Sequence, residues 1–246
     1  MLNARYTTFA VAALALTGLA AARPAAAQTV ITGLFDTGVN SAGMSLSDGT
    51  LNDPHYTLTS VPTGSTTVTR VRTSAGGYPI PPYLGDSSTS AWIGPNNGTF
   101  NNDLAGPDGN YDYTTTFTAL GITGATGSAV ITGNWATDNA GTDILINGVS
   151  TGNKNTNGFT TYTPFTLNAT NLKNGLNTLT FVVFNQPLPG TNLNTADNPT
   201  ALRVDGINAS PAPEPSQFAV LGFAVLGLSG LILKARKRQA AIAAAA

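Results

Sequence analysis

Short runs of β-branched and aromatic residues, each ended by a turn signal, fill the chain from residue 28 to residue 209. Runs of four to eight such residues between Gly, Pro, Asn and Asp clusters are typical of β-strands. No stretch in this interval has the periodicity of a helix. We predict strands at Val30–Phe35, Tyr56–Val61, Thr67–Arg72, Tyr111–Leu120, Ser128–Asn134, Asp143–Ile146, Phe159–Leu167, Thr178–Phe184 and Ala201–Ile207.

Two of these runs show how the strands are buried. Tyr111, Tyr113, Thr115 and Phe117 alternate with polar residues, which predicts a half-buried strand with an aromatic inner face. The run Thr178–Phe184 begins by alternating and then becomes apolar on both sides, as a central strand does. About nine such strands predict an all-β sandwich of two packed sheets with jelly-roll connections.

Asparagine–glycine pairs mark several turns, and two of these pairs are Asn147-Gly148 and Asn174-Gly175. Both residues of such a pair tolerate positive φ, which the tightest β-hairpins require. We therefore predict a tight hairpin at each of these two pairs.

The sequence has no cysteine, so no disulfide or thiolate metal site contributes to the fold. Stability must come from the apolar core, with a structural Ca²⁺ as one further contributor to consider. Between Gln28 and Pro215 there are five basic residues against twelve acidic ones, a formal charge of −7. Such a domain is not expected to bind nucleic acid, because phosphate neutralisation needs clustered Lys and Arg.

The N-terminal segment, residues 1–27, predicts a secretory signal peptide. Arg5 precedes an apolar stretch from Phe9 to Ala22, and Ala25-Ala26-Ala27 supplies the small-residue cleavage site. The alternative is an uncleaved anchor helix, but the apolar run is short for a membrane span and Pro24 follows it. We predict cleavage near Ala27 and export of the β-domain, residues 28–209.

The C-terminal segment has three parts in a fixed order. A Pro-rich linker at residues 210–217 is followed by sixteen uncharged, mostly apolar residues at 218–233 and by a basic tail at 234–246. A helix of that length is slightly short for a bilayer core of about 30 Å, which a snorkelling lysine or local thinning tolerates. The basic residues predict a cytoplasmic stop-transfer cluster, formed by Lys234, Arg236, Lys237 and Arg238.

This ordered triple, with Pro213-Glu214-Pro215 ahead of the helix, resembles the PEP-CTERM sorting signal. Glu214 is the only glutamate in the chain, which sharpens the resemblance. The resemblance implies recognition by an exosortase, a membrane-embedded processing enzyme, and cleavage near the motif. It also implies an inner-membrane-anchored precursor in a bacterial envelope, followed by release or attachment to the cell surface or exopolysaccharide matrix of a biofilm. The alternative is a plain membrane anchor.

A second resemblance lies in the β-domain, from about Tyr111 to Ile207. Four segments are similar to galactose-binding-like jelly rolls: 133–139, 143–148, 175–183 and 200–204. The resemblance implies that fold, and it is weak for function because many such domains bind no sugar.

Catalysis has little support in the sequence, and we expect no enzyme. His55 is the only histidine, and its position in Asp-Pro-His-Tyr at the entry to a strand favours a structural role over a catalytic triad. Glycoside hydrolysis needs two placed carboxylates, and nothing in the sequence marks such an Asp pair.

A metal site is the next candidate. Carboxylate and amide oxygens suit Ca²⁺, and four such residues lie together in a Gly-containing loop before a strand: Asp103, Asp108, Asn110 and Asp112. Asp138, Asn139 and Asp143 form a second group. The alternative for both groups is a solvated loop with Asx turns.

Glycan binding requires an exposed aromatic platform with polar groups beside it. Trp135 with Asp138 and Asn139 fits that outline, although a buried core position is the commoner fate of a tryptophan in a sandwich. Arg203 is either a ligand contact or one half of an ion pair with Asp205 or Asp143. The sequence therefore favours a non-enzymatic structural domain of the envelope or matrix, with an exopolysaccharide-binding module as the alternative and a secreted hydrolase as the least favoured function.

Overall fold

The computed structural model describes residues 29–79, 81–97, 104–122, 127–187 and 198–211. These ranges contain eleven β-strands, one short 3₁₀ turn at Ser74–Gly76 and no α-helix. The strands are β1 Val30–Thr32, β2 Tyr56–Ser60, β3 Thr69–Arg72, β4 Trp92–Pro95, β5 Gly109–Leu120, β6 Gly127–Asp138, β7 Ala140–Ile146, β8 Val149–Ser150, β9 Thr163–Leu172, β10 Gly175–Asn185 and β11 Ala201–Pro211.

The last eight strands pair in a nested pattern. β4 pairs with β11, β5 with β10, β6 with β9 and β7 with β8, all antiparallel. A ribbon of such pairs rolled around a core is a jelly roll. It produces one sheet in the order β5-β10-β7-β8 and another in the order β4-β11-β6-β9. The predicted all-β jelly-roll sandwich is thereby confirmed, while the narrower likeness to galactose-binding-like domains stays a prediction.

The first three strands widen the two sheets at their edges. β1 and β2 both pair with β5 and extend the first sheet, and β3 pairs with β4 and extends the second. We call these the first sheet (β1, β2, β5, β10, β7, β8) and the second sheet (β3, β4, β11, β6, β9).

The core lies between the two sheets, where inward-facing residues of alternating strands meet. The predicted aromatic inner face of β5 is confirmed, since Tyr111, Tyr113 and Phe117 are all buried. Phe181 on the adjacent β10 packs between Trp135 and Phe165 of the opposite sheet, with ring centroids 5.7 Å from each. The core is thus aromatic at its centre.

The Asn-Gly pairs at 147–148 and 174–175 form two different kinds of connection. Asn147 (φ 51°) and Gly148 (φ 79°) form the predicted tight hairpin between β7 and β8. The hairpin prediction for Asn174-Gly175 is wrong, because β9 before it lies in the second sheet and β10 after it lies in the first. The side chain of Asn177 stabilises this sheet-to-sheet corner by bonding the N–H of Lys173 (2.8 Å) and the carbonyls of Lys173 and Gly175.

All nine predicted strands are present, with altered bounds. β6 continues to Asp138, β9 begins only at Thr163, and β11 runs on to Pro211, so the first two residues of the predicted linker belong to a strand. β4 and β8 were not predicted, because each has at most four residues and β4 contains both Gly94 and Pro95.

The predicted terminal segments lie outside the described residues. These are the signal peptide at 1–27, the Pro213-Glu214-Pro215 motif, the helix at 218–233 and the basic tail with Lys234, Arg236, Lys237 and Arg238. Among the residues that are described, no helix has the length and hydropathy needed to cross a bilayer.

Candidate functional site

Two long connections cross the outer face of the second sheet, the face turned away from the core. One connection joins β3 to β4 and the other joins β8 to β9. A hydrogen bond joins the two connections: the backbone N–H of Leu84 donates to the carbonyl of Phe159 at 3.0 Å. The N–H of Thr137, in β6, donates to the carbonyl of Gly158 at 3.1 Å and fixes the second connection to the sheet.

These connections and the first residue of β4 carry a cluster of aromatic rings that we call the aromatic patch: Tyr78, Tyr83, Trp92, Phe159 and Tyr162. The ring of Tyr83 stacks on that of Phe159 at 4.2 Å between centroids and 21° between planes. Tyr83 also meets Trp92 edge-on at 5.8 Å, and the Trp92 Nε1–H donates to the carbonyl of Leu84 at 3.0 Å. Trp92 is buried, whereas Tyr83, Phe159 and Tyr162 are half-buried and reach the protein surface.

Arg203, in β11, lies beneath this surface and is only 2% exposed. Its guanidinium donates to the carbonyls of Leu84, Gly85 and Ser90 and to the Ser90 hydroxyl (2.9 Å). The Tyr162 ring lies 5.7 Å from the guanidinium carbon. Arg203 therefore fixes the connection that carries Tyr83.

Among the described residues, Arg203 forms no ion pair with Asp205 or Asp143, so that prediction is wrong. Its burial also blocks direct contact with a ligand. Asp205 instead accepts a hydrogen bond from the Thr89 hydroxyl at 2.9 Å. Asp143, in β7 of the first sheet, accepts from the Ser150 hydroxyl and the N–H of Gly152. The hydrogen-bond partners of this guanidinium are three backbone carbonyls, which carry no sequence signal, and the Ser90 hydroxyl.

Asp138, at the end of β6, supports the aromatic patch from below and is 1% exposed. One carboxylate oxygen accepts a hydrogen bond from the Tyr83 hydroxyl, and the other accepts one from the Asn139 side-chain amide at 2.8 Å. Burial raises the pKa of Asp138 from its ordinary value of 3.8 to about 6, although the Tyr83 hydrogen bond works in the opposite direction. The oxygen of the Asn139 side chain accepts from the N–H of Gln186 at 2.9 Å, which ties this corner to the end of β10.

Trp135 does not form the exposed platform that glycan binding would require of it. It is 0% exposed and faces the inter-sheet core, because its position in β6 alternates with the outward-facing Ala136. A buried ring is out of reach of a polysaccharide, so Trp135 is corrected from a candidate contact to a core residue. Of the four predicted glycan residues, Asp138 and Arg203 lie close to the aromatic patch as supports.

The described members of the predicted loop metal site do not lie in one loop. Asn110 and Asp112 belong to β5 rather than to the loop, and Asp108 accepts from the Asn198 amide at 3.3 Å. Asp103 lies outside the described residues. Within the described ranges, no group of three or more Asp, Glu or His side chains is placed to hold a metal. A structural Ca²⁺ therefore stays a prediction.

His55 is in a structural setting, as favoured from the sequence. The His55 ring stacks on the Phe35 ring, with centroids 3.7 Å apart and an angle of 8° between the planes. The backbone N–H of His55 donates to the Asp53 carboxylate at 2.8 Å.

The surface aromatics Tyr83, Phe159 and Tyr162 were not predicted as site residues. Phe159 was assigned to a strand, but it belongs to the connection that precedes β9. A usable signal existed at Tyr83, which follows Pro81-Pro82 in a turn-rich stretch. An aromatic residue in such a stretch has no strand partner to bury it.

Comparison with protein-family models and with curated proteins found no match. Among solved structures, the chain is similar to the CBM36-1 domain of a multidomain xylanase from the hindgut metagenome of Trinervitermes trinervoides, with 18% identity and a TM-score of 0.27 over 45% of this chain and 77% of that one. It is also similar to the Podospora anserina GH26-CBM35 β-(1,4)-mannanase, with 14% identity and a TM-score of 0.31 over 77% of this chain and 29% of that one. Likenesses this weak carry no argument about function.

Proposed function

We propose that this protein is a non-enzymatic, exported polysaccharide-binding protein of the bacterial envelope or matrix. The observation that carries the proposal is the aromatic patch, where Tyr83, Phe159 and Tyr162 come to the surface on a rigid sheet. A sugar ring has an apolar C–H face and a rim of hydroxyls, and it packs on aromatic rings with polar groups beside them. Binding sites of this composition, mainly aromatic with a few fixed polar groups, are the common type.

The charge of the domain narrows the ligand class. A formal charge of −7 between Gln28 and Pro215 repels an anionic chain at moderate ionic strength. A neutral polysaccharide meets no such barrier.

The support beneath the patch is consistent with a binding role. Arg203 and the Asp138 carboxylate each hold part of the same surface from the sheet below, so the rings are ordered before a ligand arrives. A surface that is ordered in advance loses less entropy on binding. In this proposal Arg203 and Asp138 are positioning residues and do not contact sugar.

The test is retention of the purified exported protein on immobilised neutral polysaccharides, with alginate as an anionic comparison. We expect Tyr83→Ala and Phe159→Ala to lose retention by roughly tenfold or more, since each ring contributes on the order of 1–2 kcal/mol. Val149→Ala, at an exposed apolar position on β8, is the control and should bind like the wild type. Circular dichroism of every variant checks that the fold is intact.

If the wild type binds none of these polysaccharides, with or without Ca²⁺, the binding proposal fails and a purely structural role of the sandwich is favoured. Equal retention of the wild type and both ring variants would exclude the aromatic patch as the site.

The export route is a separate part of the proposal and rests on the sequence alone. We propose that an exosortase recognises Pro213-Glu214-Pro215, and that the segment 218–233 and its basic cluster hold the precursor in the inner membrane until processing. Glu214→Ala should leave a full-length, membrane-held precursor, detected by immunoblot of membrane and surface fractions. Gln217→Ala, two residues after the motif, is the control. Normal processing of the Glu214 variant would refute this route.

A further inference from the structure

A groove of about 300 Å³ lies on the outer face of the first sheet, on the other side of the sandwich from the aromatic patch. We call it the threonine groove. Its floor is formed by outward-facing residues of β5 and β10, and one wall is formed by Phe35 and His55. The side chains that matter for its chemistry are Thr32, Phe35, His55, Thr116, Thr118 and Leu176.

The floor offers hydroxyl groups that no described residue uses in a hydrogen bond. Further along the same face, the hydroxyls of Thr59, Thr114 and Thr180 bond to one another at 2.8 and 2.9 Å. By contrast, the hydroxyls of Thr116 and Thr118 make no hydrogen bond to any described residue. On the outer face of the first sheet, the threonine hydroxyls are thus bonded to one another outside the groove. Inside the groove they are available to a ligand as hydrogen-bond donors and acceptors.

The aromatic wall is fixed from behind. The Asp53 carboxylate, which is buried, accepts from the N–H groups of Gly38 (2.6 Å), His55 (2.8 Å) and Tyr56 (2.9 Å). The Tyr56 hydroxyl donates to the carbonyl of Phe35 at 2.9 Å. The stacked Phe35 and His55 rings are therefore held rigidly at the side of the groove. The His55 Nε2 is buried and has no hydrogen-bond partner among the described residues.

The groove has the chemistry of a site for an uncharged sugar. It combines an aromatic wall and the 67%-exposed Leu176 with open threonine hydroxyls, and no Asp, Glu, Lys or Arg among the described residues lines it. An ionic ligand finds no counter-charge among these lining side chains. A purely apolar ligand would leave the hydroxyls without partners, which costs free energy when they are removed from water.

The two sites lie on opposite faces and towards opposite ends of the sandwich. The threonine groove includes Leu176 at the start of β10, while Asp138 and Asn139 under the aromatic patch are bonded near Gln186, just after that strand. Leu176 to Asn185 spans roughly 30 Å along the strand, and the two sheets add about 10 Å between the faces. One straight polysaccharide chain cannot lie along both surfaces at once.

We infer that the threonine groove is a second neutral-sugar site, so that one molecule cross-links two polysaccharide chains. The cross-linking rests on the proposed function of the aromatic patch, whereas sugar binding in the groove stands on its own geometry. Two sites on one rigid body raise the apparent affinity for a polymeric matrix by roughly 100-fold or more over either site alone.

Two variants test the groove without disturbing the core. Thr116→Arg places a long side chain across the floor from an exposed position, and Thr57→Arg makes the same change at an exposed threonine of β2 outside the groove. Wild type and Thr57→Arg should increase light scattering and low-shear viscosity when added to soluble hydroxyethyl cellulose or galactomannan. Thr116→Arg should still bind through the aromatic patch, but without cross-linking and with roughly 100-fold weaker retention on the immobilised polymer.

His55 supplies a direct readout, because it is the only histidine in the chain and gives a single set of imidazole NMR signals. A neutral tetrasaccharide from the polymer that binds should shift these signals in the wild type and in Tyr83→Ala, but not in Thr116→Arg. Polymer retention without a His55 shift, or cross-linking by Thr116→Arg equal to that of the wild type, would overturn the groove and leave the aromatic patch intact. If the oligosaccharide shifts the His55 signals and Tyr83→Ala retains the polymer as well as the wild type does, the aromatic patch is excluded as a binding site and the groove stands. If the wild type binds no sugar at all, both proposed sites are refuted.

Discussion

Replacing Asp138 by asparagine should make the protein more stable at neutral and alkaline pH. The carboxyl group is 1% exposed, and its burial raises the pKa from 3.8 to about 6. A carboxyl whose pKa is higher in the folded state binds its proton more tightly there than in the unfolded chain. Its favourable contribution is therefore complete below about pH 4 and is lost as the pH rises through about 6.

The size of the effect follows from the difference of about 2 pKa units, which corresponds to about 3 kcal/mol. Asparagine is nearly the same shape and cannot ionise, so Asp138→Asn removes this penalty while an amide still faces Tyr83 and Asn139. We expect the two proteins to be similar in stability at pH 4, and the variant to be more stable by up to about 3 kcal/mol at pH 8.

Urea denaturation of both proteins at pH 4, 5, 6, 7 and 8 measures this difference directly. Burial also raises the pKa values of Asp36, Asp53 and Asp112, but these groups are common to both proteins and cancel in the comparison. Tyr83→Phe is the companion variant, because removing the hydroxyl donor should raise the Asp138 pKa further and move the transition to higher pH. A stability difference that is constant from pH 4 to pH 8 would refute the buried, titrating Asp138.

Three further changes test the rest of the structure by urea denaturation. Arg203→Met should cost about 3 kcal/mol because the carbonyls of Leu84, Gly85 and Ser90 lose a charged donor, and Arg203→Lys should recover only part of this loss. A neutral result would mean that the guanidinium does not hold the connection. Trp135→Ala should cost about 3–5 kcal/mol as a core truncation; undiminished stability with lost glycan retention would instead make Trp135 a surface contact. Gly148→Ala should cost about 1 kcal/mol through its positive φ of 79° alone, since no atom of the described residues lies within 4 Å of the new methyl group. Gly85→Ala has equally few described neighbours and no positive φ, so it should be nearly neutral. Equal effects of the two changes would contradict the predicted hairpin geometry.

The alternation of inward and outward residues could be predicted from the sequence, because the pleat of a strand depends only on neighbouring residues. This is why the aromatic inner face of β5 and the central position of β10 were both correct. The hairpin at Asn147-Gly148 was equally local, since φ preferences belong to the two residues themselves. Nine of the eleven strands in the described residues, and the sandwich class, followed from many such local signals together.

Only the tertiary structure decided which strands pair and what covers the outer face of the second sheet. β4 and β11 are neighbours although about one hundred residues separate them, and no local pattern specifies that partner. The same reason explains the wrong hairpin at Asn174-Gly175, where identical turn chemistry joins two different sheets. Packing of whole connections against the sheet placed Arg203 under backbone carbonyls and brought Tyr83 onto Phe159. The candidate site is therefore a product of distant segments, and the sequence alone determined only the strands on which it stands.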